Sequence, residues 1–375
     1  MKNGFAIIVM VLLCTEIFSA VSVESGAIPA PAPSYVMPGL DPFWADIDPS
    51  FGVWHSPNVT YIHKAGCFRA TYRTNAHGMR DRERALDAPA PRAVVLGDSF
   101  VEGFGLERDE RFTDRLERKT GVEHLNFGTA GDFGTVQEWL LYDTLASRFR
   151  HDRVMVVILP RNDFVDNDPE FGRVSHAQRY RPYAIANASG GYDIEYRDKA
   201  HLNVWGRTED RMRKQRLRAM RQVPTNYSYA VNVFNYMKKL IAFRAGGDAP
   251  VDPDPEGRGS AYWNYTRDGL DRMTWALERI VEKAGERPVD LVLLPMMIDI
   301  LDARKKKETR PPLTRDLETF SDRFDNVRVH DLLPDFTGLN DPQAMYHPCD
   351  GHWSPQGAAL AAEVLAGRIY ARTGN

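Results

Sequence analysis

The stretch Arg92-Ala93-Val94-Val95-Leu96-Gly97-Asp98-Ser99-Phe100 decides how this chain folds. Ala93 to Leu96 is an apolar run with no polar interruption, the pattern of a short strand buried on both faces. Gly97 and Asp98 turn easily, and helix-compatible sequence follows Ser99. A buried strand that turns straight into a helix opens a βα unit of a parallel sheet. In such sheets ligands bind beyond the carboxyl ends of the strands, and Ser99 stands at such an end.

Outward from this stretch, strand patterns recur near 93–96, 122–126, 153–159, 289–296 and 327–332. Helix patterns lie near 109–119, 135–149, 267–284, 312–324 and 355–372. The alternation predicts an α/β fold: a flavodoxin-like three-layer α/β/α sandwich around a five-stranded parallel sheet. With 375 residues and 43% hydrophobic content, the chain can bury a large core. The gap between the third and fourth strands is too long for a simple crossover, so residues 165–266 read as an insertion. It opens as a hairpin over 179–198, turning at Ser189-Gly190-Gly191. A basic helix pattern follows at 208–223 and reads as a solvated face rather than a wall that attracts an anionic polysaccharide or a membrane.

A neutral serine hydroxyl is a weak nucleophile and needs a base, which in turn needs an orienting partner. Near the C-terminus, Asp350 and His352 offer both, just before a helix that Ser354 and Pro355 open as N-cap and first residue. An acyl oxyanion also needs donors. Gly131, in the segment 126–135, offers a backbone N–H, and Asn162, in ILPRND, offers a side-chain amide. Each residue has a plainer reading: Asp350 and Gly131 as turn formers, His352 as a surface histidine, Asn162 as a loop cap. The order favours the chemical reading, because all four features follow strands or precede a helix, as one crevice requires. Asp163 and Asp166 read as loop-turning residues. His347, Asp350 and His352 can be drawn as a metal trio, but that leaves the serine, glycine and asparagine segments without a role. The segment GFGL at 103–106 lacks a phosphate-loop lysine, so no cofactor is expected.

Taken together, the segments of Ser99, Gly131, Asn162 and Asp350/His352 resemble the four blocks of the SGNH (GDSL-type) hydrolases. The resemblance implies Ser99 as nucleophile, His352 as base, Asp350 as its orienter, and an oxyanion hole of Ser99, Gly131 and Asn162. Two features depart from the common pattern: Pro160 and Arg161 precede Asn162 where GxND is usual, and the last block is DxH rather than DxxH. The short spacing is similar to that of extracytoplasmic carbohydrate acetylesterases and polysaccharide O-acetyltransferases. The implied function is a serine esterase that hydrolyses O-acyl, in particular O-acetyl, esters of a carbohydrate. A polysaccharide O-acetyltransferase with the same triad is the alternative. A non-catalytic binding or assembly protein of this fold is the third reading.

The N-terminus carries Lys2, an apolar run from Phe5 to Leu13, and small residues Ala20 and Ser22 at positions suited to cleavage. Residues 1–22 therefore read as a signal peptide, with an uncleaved anchor as the alternative and Glu16 interrupting the apolar stretch. Either way the rest of the chain is exported, to the periplasm or the extracellular space. No other long apolar stretch predicts a further span. A net charge of −3 gives no general attraction to nucleic acid. Residues 23–50 read as a Pro/Ala-rich linker, 51–90 as an N-terminal strap, and 91–375 as the SGNH-like domain with its insertion. Asn75, Gly78 and Arg80 are expected to fix a turn and an ion pair within the strap. Removal of the leader leaves two cysteines, Cys67 and Cys349, which an oxidising compartment permits to bond; two buried thiols are the alternative. Four sequons, at Asn58, Asn187, Asn226 and Asn264, matter only in a glycosylating host.

Overall fold

The computed structural model describes residues 2–28, 43–65, 67–89, 91–170, 179–197, 223–244 and 257–370, with a few single residues between these stretches. Its centre is a five-stranded, all-parallel sheet. In chain order the strands are β5 (Arg92–Gly97), β6 (Glu123–Gly128), β7 (Arg153–Ile158), β10 (Val289–Leu293) and β11 (Val327–Asp331), and they lie side by side as β6-β5-β7-β10-β11. Within the flavodoxin-like class this order puts the chain's reversal point between β5 and β7. The register runs straight across: Val94 pairs with Leu125 on one side and Val154 on the other, and Leu291 pairs with Val156 and Val329. The three inner strands consist largely of Val, Leu, Ile, Ala and Met with almost no exposure, because helices cover both faces.

Helices α2 (Ser99–Glu102), α3 (Phe112–Thr120), α4 (Thr135–Thr144) and α5 (Pro160–Asp166) follow the first three of these strands. After the insertion, whose own helix is α6 (Tyr229–Arg244), come α7 (Arg267–Ala284), α8 (Met297–Lys306), α9 (Pro312–Ser321), α10 (Leu333–Thr337) and α11 (Pro355–Ile369). The flanking helices pack in pairs, α3 with α11 and α4 with α7. The sequence of α7 shows why it lies on the sheet: Leu270, Met273, Ala276, Leu277, Ile280 and Ala284 recur at helical spacing and are all buried. Thr266 caps it, its Oγ1 accepting from the Gly269 N–H at 3.0 Å.

Several boundaries differ from the sequence reading. The run LVLLPMM does not remain a strand to 296. It stops at Leu293, since Pro295 cannot donate to a ladder, and α8 starts at Met297 with Asp299 accepting from the Met296 N–H. β7 ends at Ile158 and Pro160 opens α5, so Asn162 lies in a helix rather than a loop. The helix signals at 109–119, 135–149 and 312–324 narrow to α3, α4 and α9. The last helix ends at Ile369, and 371–375 lie outside the described residues.

Ahead of the sheet, a ribbon β1 (Ala45–Asp48) and β2 (Gly52–Trp54) precedes a hairpin β3 (Thr60–Lys64) and β4 (Arg69–Arg73). β1 lies inside the stretch read as linker. Phe43, Ala45 and Asp46 are buried there, so packed structure begins earlier than the Pro/Ala composition suggests. Asn75 does form the expected turn, its Oδ1 accepting from the N–H groups of His77 and Met79. Arg80 does not form the expected ion pair. Its guanidinium donates to the carbonyls of Glu102, Gly103 and Leu106 and lies 3.3 Å from the centre of the Tyr72 ring. In the insertion, β8 (Arg181–Ala186) and β9 (Tyr192–Arg197) form the hairpin, while the basic stretch 208–223 lies largely outside the described residues.

Cys67, just after β3, is bonded to Cys349, with their Cα atoms 5.8 Å apart. The bond spans 282 residues and ties the strap to the loop that carries Asp350 and His352. Removing it in a Cys67→Ser/Cys349→Ser pair is expected to cost about 2–5 kcal/mol of stability. Denaturant midpoints of the oxidised wild type and the double variant measure this, and equal midpoints would contradict it.

Candidate active site

Gly97 ends β5 in a conformation that leaves no room for a side chain: a Cβ there would sit 2.2 Å from Val101 Cγ2. Only glycine lets α2 fold back this tightly on the strand that feeds it. Asp98 caps α2, its Oδ1 accepting from the Phe100 N–H at 2.9 Å. Ser99 is therefore the first helical residue, buried just past the carboxyl end of β5.

The C-terminal loop meets it there. His352 Nε2 lies 2.8 Å from Ser99 Oγ, and His352 Nδ1 is hydrogen-bonded to Asp350 Oδ1. Burial alone would raise the Asp350 carboxyl, but its bonds to His352 hold it below the usual carboxylate value. The His352 ring is held on two sides. Phe104 stacks on it with centroids 4.2 Å apart, and Phe100 lies 4.8 Å away. Phe104 comes from the GFGL segment at 103–106, which supplies this wall. The loop is fixed by the bond from the His347 N–H to the His352 carbonyl (2.7 Å) and by Ser354, which caps α11.

Gly131 lies in the loop after β6, which touches the turn before Ser99: the Thr129 N–H donates to the Gly97 carbonyl at 3.3 Å. Gly131 has φ +108°, which a side chain disfavours, and a Cβ would meet Arg179 Nη1 at 2.7 Å. Three contacts clamp this loop. The Ala130 N–H donates to the buried Glu102 carboxylate at 2.5 Å. Arg179 Nη1 donates to the Gly131 carbonyl at 3.1 Å, and the same guanidinium binds Asp46 of β1 at 2.8 Å. Asn162, in the first turn of α5, donates its Nδ2 to Asp98 Oδ2 at 3.2 Å. Ser99, His352 and Asp350 thus touch directly, while Asn162 reaches them through Asp98, and Gly131 borders the same edge.

Glu102, Trp44, His55, Arg179 and Phe104 were not legible as site residues. Glu102 is fully buried and accepts from Trp44 Nε1 at 2.9 Å, with His55 Nε2 at 3.5 Å. One sequence feature could have flagged it: a carboxylate three residues after Ser99 in a stretch otherwise small and apolar must have a buried partner. Asp163 caps its own helix by accepting from the Leu159 N–H at 2.7 Å, and Asp166 faces Arg181 at 3.5 Å, so both serve structure. Burial first, and then repulsion from Asp98 and Asp166, pushes the carboxyls of Glu138 and Asp163 well above the usual range, with Asp163 adding to the effect on Glu138. Among the described residues, no group of three His, Cys, Asp or Glu side chains is arranged to hold a metal ion.

No protein-family model matches the chain, and no curated protein is recognisably similar to it in sequence. Among solved structures it is similar to the lipase Lip_vut3 from a goat rumen metagenome, at 14% identity over 76% of this chain and 99% of that one, with a TM-score of 0.39. It is also similar to a member of the lipolytic G-D-S-L family from Veillonella parvula DSM 2008, at 12% identity over 76% and 100% of the two chains (TM-score 0.38). A third similar structure is a carbohydrate esterase family 2 enzyme with its carbohydrate-binding domain from Corynascus thermopiles (Myceliophthora fergusii), at 13% identity over 76% and 67% (TM-score 0.33). These likenesses are loose, and the chemistry of the site rests on its own side chains.

Burial pushes the Asp98 carboxyl up from 3.8 to about 6, against the Phe100 N–H, His352 and Asn162, which favour its ionised form. A carboxyl raised by folding adds stability below its unfolded value, and that contribution fades as pH rises through its folded value. Asp98→Asn should therefore gain on wild type between pH 4 and 6, by at most about 1.4 kcal/mol per pH unit. Chemical denaturation of both proteins across this range tests it; a difference that stays constant with pH would refute it.

Proposed function

We propose that this protein is an exported serine esterase that hydrolyses O-acyl esters, O-acetyl groups of a carbohydrate in particular. The observation that carries the reading is the unbroken path from Ser99 Oγ to His352 Nε2 at 2.8 Å and on from Nδ1 to Asp350. Serine, base and orienter in contact at the carboxyl edge of a parallel sheet suit acyl transfer. The carbohydrate acceptor rests on the short Asp350–His352 spacing of the sequence and its resemblance to acetylesterases.

In this mechanism Ser99 Oγ attacks the ester carbonyl carbon while His352 Nε2 takes its proton. Asp350 accepts from Nδ1, fixes the tautomer and stabilises the imidazolium that forms. The oxyanion is met by the N–H groups of Ser99 and Gly131 and by Asn162 Nδ2. Asp98 and the Ala130–Glu102 and Arg179 contacts hold these donors in place. As the intermediate collapses, the carbon–oxygen bond to the alcohol breaks and His352 returns its proton to the leaving oxygen. A water molecule, deprotonated by the same histidine, then attacks the acyl-serine; as the bond to Ser99 Oγ breaks, His352 returns the proton to that oxygen and the acid leaves. Phe104 and Phe100 keep the imidazole in one plane through both half-reactions.

Acetate release from 4-nitrophenyl acetate by the full chain, wild type beside Ser99→Ala, with and without added oligosaccharide, is the test. Release that needs Ser99 and ignores the sugar is the expected result. Release diverted into acetylated sugar would make the protein a transferase, and equal release by both proteins would sink the serine mechanism. Asn162→Ala should lower turnover by about 10²–10³-fold with little change in stability; unchanged turnover removes Asn162 from the oxyanion hole.

A further inference from the structure

The N-terminal helix α1 (Lys2–Glu24) is built into the rest of the molecule through its one interior carboxylate. Glu16 is the residue that breaks an otherwise apolar run. Its Oε1 accepts from the Tyr229 N–H at 2.7 Å, and its Oε2 accepts from Ser228 Oγ at 2.7 Å and the Ala230 N–H at 3.1 Å. These donors are the opening turn of α6, whose unpaired N–H groups and positive dipole end favour an anion. Tyr229 also donates its hydroxyl to Glu24. The segment before α6 is tied down from two more sides: the Asn226 carbonyl accepts from the Tyr35 N–H at 2.9 Å, and the Thr225 carbonyl accepts from Lys64 Nζ of β3 at 3.3 Å. Asn226 is buried at this junction, which removes it from the glycan acceptors.

A leader removed after Ser22 would take Glu16 away and leave the first turn of α6 without its acceptors. Of the two small-residue positions, Ser22 is buried and Ala20 half-buried, and Ser22 is held in helix by its bond to the Phe18 carbonyl at 2.8 Å. By contrast, Phe5, Ile8, Leu12 and Phe18 are exposed along α1. The apolar span Gly4–Glu24 has 21 residues. At a rise of 1.5 Å each it is about 31 Å long, the thickness of a bilayer's hydrocarbon core. A carboxylate inside such a span is costly unless partnered, and α6 partners it. α6 exposes Phe234 and Met237 beside Asn235 and Lys238, a mixture suited to the lipid–water boundary.

We propose that α1 stays in the mature protein as a membrane-embedded helix and that the first turn of α6 packs against its outer half, with Glu16 as the joint. Lys2 marks the cytoplasmic end, and the sheet lies on the far side. The insertion therefore folds onto the anchor, independently of what chemistry Ser99 performs.

The full chain, expressed with its own N-terminus, supplies the test. Intact mass should include α1, and the protein should stay in the membrane pellet through carbonate washing. A mature chain beginning at or after Val23, or one released by carbonate, overturns the anchor. Glu16→Ala should make protease cleavage within 223–244 about five-fold faster, the size of a lost helix cap, while membrane retention is unchanged. Glu16→Gln, which keeps an acceptor, should stay near wild type, and equal cleavage in all three removes Glu16 as the joint. Bimane on Phe234→Cys, in a Cys14→Ser background, should be quenched in vesicles of brominated phosphatidylcholine; absence of quenching overturns the placement of α6 at lipid.

Discussion

A single buried carboxylate sets the spatial relation of the parts that make up the site. Glu102 has no solvent exposure, and an ion in that position is tolerated only when its oxygens are satisfied. Burial works against its ionisation, yet His55, Arg80 and Trp44 together hold its pKa below the usual value. The partners come from separate regions: Trp44 from just ahead of β1, His55 from just after β2 in the strap, and Ala130 from the glycine loop. Glu102 itself closes the helix that Ser99 opens. The helix of Ser99, the loop of Gly131 and the strap are thus held by one charge. The backbone repeats the arrangement, because Arg80 of the strap binds the carbonyls at the end of the same helix.

The strap reaches the other half of the site as well. Phe68 packs on His347 with ring centroids 5.0 Å apart, and His63 packs edge-on to Phe104 at 4.3 Å. Phe104 in turn stacks on His352. Burial lowers the His63 pKa to about 4, so at neutral pH that ring is an uncharged spacer between strap and imidazole. Through these contacts and the disulfide, a segment outside the sheet supports both the loop of His352 and the loop of Gly131.

The sheet could be read from sequence because its inner strands are buried on both faces and so appear as unbroken apolar runs. The same property hid one boundary: LVLLPMM continues apolar past the strand's end, since Met296 and Met297 pack on the core from a new helix. Ser99, Asp350 and His352 stood out because each sits where a strand ends or a helix begins, next to residues that turn. Apart from the lone carboxylate Glu102, local sequence carries no trace of what supports them. Trp44 and Glu102 are 58 residues apart, and Arg179 and Gly131 are 48 apart, so these bonds exist only after the chain has folded. Arg80 failed as an ion pair for the same reason: its acceptors are main-chain carbonyls, which any sequence presents.

The bond between Cys67 and Cys349 has a consequence for how the chain meets a protease. It closes a covalent ring around most of the chain, including the whole insertion. A cut anywhere between the two cysteines opens the ring without separating the pieces. The portion carrying Ser99 and the portion carrying His352 would then persist as one two-chain molecule, and the insertion can be nicked while the residues on either side of the crevice stay together.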